Sequence, residues 1–195
     1  MGPFLAQLVI GTVKDPAQAA RQILALRLPL PALWALLGLV AIINAGLFTL
    51  TNLLMPPPGG LPMVFASPLI FCAVVAGGVI VSAGGITVFG RFFGGSGGFE
   101  GIFALLIWLQ ALRALVQGIV LVLMFIAPGM AAFVVFAAGL YGFWVLLHFI
   151  NIALQLTSLW RALTVLVAST VAIILALVMV LTMLGLGTMG IPSNV

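Results

Sequence analysis

Charge is almost missing from this chain. Its 195 residues include two acidic and six basic side chains, 4% in all, where soluble domains carry roughly 25%. So few charges cannot cover a water-facing surface, which excludes a soluble globular domain and makes lipid the solvent for most of the surface. Cysteine occurs once, as Cys72, so an internal disulfide is excluded and nothing follows about redox compartment. The single histidine, His148, has no second His or Cys placed to join it. No metal site is expected from it, and no cofactor. The net charge of +4 comes from scattered residues, not from a basic stripe, so no nucleic-acid partner is expected. Met1 to Val13 lacks the basic n-region and small-residue cleavage site of a signal peptide. Gly2 is followed at position six by Ala6, which excludes the myristoylation pattern.

What the chain does have is apolar length. Hydrophobic residues make up 65% and mean hydropathy is +1.47. The apolar runs are long and unbroken, unlike the alternating segments of about ten residues in a membrane barrel. A helix satisfies its own backbone in lipid and crosses the hydrocarbon in about 20 residues. The pattern predicts an all-α polytopic membrane protein, a five-helix transmembrane bundle with an N-terminal interfacial amphipathic helix. The expected spans are residues 31–54, 63–89, 99–126, 131–156 and 162–186. They form one transmembrane domain over residues 29–195, preceded by an interfacial region at residues 1–28.

That first region holds Lys14, Asp15, Arg21 and Arg27. Asp15 followed by Pro16 is a helix-start signal. Ala20, Ile23 and Leu24 then share one face, and Gln18, Arg21 and Gln22 another. Lys14, Arg21 and Arg27 are expected to hold this segment against anionic lipid headgroups. Basic residues near span ends also set orientation. They occur in the N-terminal region, at Arg91 between spans two and three, and at Arg161 between spans four and five. The other loops carry none. The alternation predicts a cytoplasmic N-terminus and a C-terminus on the far side.

Three groups of residues are candidate sites. The loop Arg91, Gly94, Gly95, Ser96, Gly97, Gly98 and Glu100 formally contains G-x-S-x-G, but the strand, His and acid that a nucleophile elbow requires are missing. It is read as a flexible turn, with Glu100 in the first turn of span three, where a negative charge suits the helix dipole. Small residues in span two, Ala73, Gly77, Gly78, Ser82 and Gly85, permit close helix approach to another span or another protomer. Spans three and four carry Gln110, Arg113, Gln117, Tyr141, His148, Asn151 and Gln155, an intramembrane polar cluster. Such residues either fix the bundle by interhelical hydrogen bonds or line a path. Arg113 lies about 20 Å into span three at 1.5 Å per residue. It is expected to face the interior toward span four, with neutral acceptors around it.

The stretch from Val13 to Ile23, with its Asp15-Pro16 start, the run Phe93-Gly94-Gly95-Ser96-Gly97-Gly98-Phe99-Glu100, and the five-span layout together resemble the Ypt-interacting-protein (Yip) domain family. The resemblance implies a membrane organiser or adaptor of bacterial type, not an enzyme. Its eukaryotic relatives bind small GTPases through longer N-terminal regions than the 28 residues before span one here. The expected partners are membrane lipids, anionic ones included, and a membrane-protein partner or a second copy of the chain. A small transporter or channel using spans three and four is the alternative.

Overall fold

A computed structural model describes residues 2–56 and 67–183, with the side chains of residues 2 and 3 left aside. Seven helices and no strands occur among the described residues. They are α1 (Gly2–Lys14), α2 (Pro16–Ala25), α3 (Leu30–Leu54), α4 (Pro68–Phe92), α5 (Phe99–Ile126), α6 (Pro128–Ala153) and α7 (Leu159–Met183). The last five are long and apolar enough to cross a membrane.

Proline marks several starts. It occupies the first turn of α2, α3, α4 and α6, where a backbone N–H would have no intrahelical partner and the fixed φ suits the helix. For this reason the expected break at Pro128-Gly129 is instead the beginning of α6, and that helix ends at Ala153, three residues earlier than expected. The second span runs on through Gly90 and Arg91 to Phe92; the expected start at Met63 lies outside the described residues, as do 184–186 at the end of the fifth. Polar side chains within the spans are largely satisfied locally. Thr49, Thr51, Asn52 and Thr87 each donate to the carbonyl one turn back, at 2.7–2.8 Å.

Within the bundle, α4 and α5 touch; α3 packs against both on one side. On the other side α6 lies against α5, α7 against α4, and α6 against α7. Buried Asn44 ties α3 to α5, its Nδ2 donating to Val40 O at 2.8 Å and to Gln110 O at 3.4 Å. α4 also packs against α7, with Ala83 of α4 and Val165 of α7 both fully buried. At Gly85 the missing side chain leaves room for Ile173 and Ser169 of α7.

The N-terminal region is two helices that fold back on each other around Asp15, whose carboxylate caps α2 by accepting from Gln18 N–H at 2.9 Å. Of the face of α2 read as apolar, Ala20 and Ile23 are buried and Leu24 is half-buried, with Pro16 and Ala19 also buried, and α2 packs against α5 and α6. Buried Thr12 accepts a hydrogen bond from Trp108 Nε1 at 3.1 Å, and the Tyr141 hydroxyl donates to Val13 O. Trp108 is nine residues into α5 and Tyr141 twelve residues from the end of α6. At 1.5 Å per residue the Lys14-Asp15 elbow therefore lies about 14–18 Å along these helices. The pair is a hairpin docked on α5 and α6.

Candidate functional site

Arg27 follows α2, Arg91 lies in the last turn of α4 and Arg161 in the first turn of α7, and at this end of the bundle three helices stop in related ways. At the end of α4, Gly94 adopts φ +85°, Gly94 N–H donates to Arg91 O at 3.1 Å, and Gly95 N–H to Gly90 O at 2.8 Å. This is a Schellman cap, with glycine at the left-handed position that disfavours a Cβ. At the end of α6, Gln155 takes that position with φ 54°. Its N–H donates to Ile152 O at 3.3 Å and Leu156 N–H to Asn151 O at 2.9 Å. After α2, Arg27 has φ 45° and donates to Leu24 O at 3.2 Å. A left-handed non-glycine residue costs roughly 1–2 kcal/mol.

The first two caps lock together. Leu154, fully buried, fills the space opposite Gly90 and Gly95. Ser96 N–H donates to Leu154 O at 3.0 Å, and Ser96 Oγ to Gln155 Oε1 at 2.9 Å. At Gly97 the backbones come so close that a Cβ would sit 1.9 Å from Ala153 O. The glycine-rich segment, expected as a flexible turn, is thus a packed joint between α4 and α6. Glu100 lies in the first turn of α5 as expected.

Beside this joint lies an open cleft of about 530 Å³ between α2 and the end of α6. Arg21, Arg27, Asn151 and Gln155 line it with the apolar Leu24 and Leu156. Asn151 Oδ1 is buried and has no hydrogen-bond partner. Leaving such an acceptor unpaired costs about 1–3 kcal/mol, and the residue that carries it lines the cleft with two basic residues.

The polar cluster of spans three and four is not one site. Gln155 belongs to the joint and the cleft, and Asn151 to the cleft. His148 Nδ1 is 3.0 Å from Trp144 O, one turn back on its own helix, with the two rings 4.3 Å apart. Tyr141 binds α1. Gln110 offers its backbone oxygen to Asn44, and Gln117 is half-buried. Arg113, expected inside, is exposed. Phe103, Ile107, Ala114 and Leu121 set the packed face of α5, and at 100° per residue Arg113 lies about 100° from Ala114. Among the small residues of span two, Gly77 and Gly78 have no atom within 4 Å of a built Cβ, in contrast to Gly85. Lys14 is exposed at the elbow, apart from the cleft. The residues that sequence reasoning passed over are Thr12, Trp108 and Leu154, ordinary core types whose roles depend on distant neighbours. No group of three or more His, Cys, Asp or Glu able to hold a metal occurs among the described residues.

Five apolar spans with these joints define an integral membrane protein of the multi-pass α-helical class. The Yip1 domain model matches residues 10–181, from the end of α1 through α2, the joint and nearly the whole of α7, and the chain belongs to that family. No curated protein and no solved structure matches the chain.

Proposed function

We propose that this protein is a non-enzymatic membrane organiser or adaptor of bacterial type, acting through lipid and protein partners in the inner membrane. The observation that carries the reading is the docked hairpin. It is tied to α5 and α6 through Thr12 and Val13, while Gln18, Arg21, Gln22 and Arg27 remain outside the core. A layer held this way presents polar and basic groups at the bundle's end instead of enclosing a reacting molecule. Purification in native lipid discs followed by mass spectrometry tests it. A reproducible set of enriched lipids or membrane proteins is expected; a composition matching the bulk membrane counts against the proposal.

The same reading places the basic end in the cytoplasm, because Lys and Arg are retained there. Reporter fusions at Ser96 and Trp160 are expected to report cytoplasm, and those at Pro57 and Gly129 the opposite side. A cytoplasmic signal at Pro57 or Gly129 overturns this orientation.

A further inference from the structure

The cleft between α2 and α6 joins residues from two distant stretches of chain. Arg21 and Arg27 both line it, and no acidic residue does. Of the two acids in the sequence, Asp15 caps α2 and Glu100 sits at the start of α5. A guanidinium presents forked N–H donors that match the oxygens of a phosphate. Asn151 lines the same cleft, and its Oδ1, buried and unpartnered, gains a donor if the amide turns toward it. Arg27 is held in a left-handed conformation at the rim, and such strain at a surface turn often accompanies a binding role. Leu24, Ala25, Ile152 and Leu156 give the wall its apolar part, beside Gln155. The cleft lies at the end of α6, and the ends of membrane-spanning helices meet the headgroup layer.

We propose that this cleft binds the headgroup of one anionic phospholipid, its phosphate between Arg21 and Arg27 and a headgroup hydroxyl donating to Asn151 Oδ1 once that amide turns into the cleft. The apolar wall and the depth favour a lipid over a soluble phosphate ester, since the first glycerol and acyl carbons find contact there. The hydroxyl requirement favours a headgroup such as phosphatidylglycerol over phosphatidic acid, which carries no headgroup alcohol. The inference rests on the organiser reading for its purpose, while binding is measured independently of it.

The test uses the full chain in phosphatidylcholine discs doped with phosphatidylglycerol or phosphatidic acid, with retained lipids counted by native mass spectrometry. Soluble glycerol phosphate serves as competitor. One phosphatidylglycerol per chain is expected to be retained over phosphatidylcholine. Arg21→Gln and Arg27→Gly should each lower that retention about fivefold, as expected for loss of one basic residue at a membrane surface. Glycine adopts the left-handed turn without strain, so Arg27→Gly should keep the fold, checked by helical circular dichroism. Asn151→Leu should bring phosphatidylglycerol down to the level of phosphatidic acid. Lys14→Gln, which removes the same charge outside the cleft, should change retention little. Equal losses in Lys14→Gln and Arg27→Gly, or competition by glycerol phosphate as effective as by lipid, would overturn the site. The set of co-purifying membrane proteins decides the organiser reading separately.

Discussion

Replacing Gly97 with alanine is expected to destabilise the folded protein by about 3 kcal/mol, the upper end of the usual range for overpacking. The added Cβ would lie 1.9 Å from Ala153 O, 2.8 Å from Ala153 C and 2.9 Å from Leu154 Cα. All three are backbone atoms of a helix end, so no rotamer change relieves the clash. The joint must open, and the bond from Ser96 N–H to Leu154 O is lost with it. For a chain of this size the loss corresponds to a fall of roughly 6–12 °C in Tm, read by thermal unfolding in detergent. Gly98→Ala is the control, because nothing lies within 4 Å of its Cβ and its φ of −95° suits any residue. Equal Tm values for the two variants would show that the loop is not packed against α6. Gly90→Ala should fall between them, since it meets the Leu154 side chain, which can turn aside.

Phe103→Ala is expected to cost about 3–5 kcal/mol, from lost packing and the cavity left behind. Phe103 is 0% exposed. Its ring lies 5.1 Å from Trp34 of α3 and 5.1 Å from Phe99, so it fastens the start of α5 to the first span. Phe125 is on the same helix but 60% exposed, and Phe125→Ala should change stability by no more than about 0.5 kcal/mol. Chemical unfolding of both variants in one detergent separates a buried anchor from a lipid-facing ring. A loss for Phe125→Ala as large as for Phe103→Ala would contradict this packing.

The fold was legible because lipid imposes one rule on every span: about 20 apolar residues in a helix. The starts at Leu30, Phe99 and Pro16 follow from residues nearby in sequence. The ends were harder, because proline reads alike as a break and as a first-turn residue, which moved the start of α6 to Pro128. The site was less legible. Arg21 and Arg27 were expected at the headgroups and Asn151 and Gln155 within the membrane, yet they line one cleft. No local pattern links residue 27 to residue 151; that link is made by α2 packing against α6. Arg113 was misplaced for a similar reason. Its helical neighbours Gln110 and Gln117 share its side of α5 in projection, but the large apolar residues decide which side is buried.

Arg113 also separates an organiser from a transport path most directly. Exposed on α5 and about 21 Å from its first residue at 1.5 Å per residue, it belongs to neither the joint nor the cleft. The decisive measurement is complementation of a deletion strain by Arg113→Leu at matched membrane protein level. The organiser account predicts full complementation, with stability equal to or above that of the parent protein, because an apolar residue suits a lipid-facing position better than a charge. A variant that inserts and folds at the parent level yet fails to complement would contradict the account and return Arg113 to the centre of a functional path.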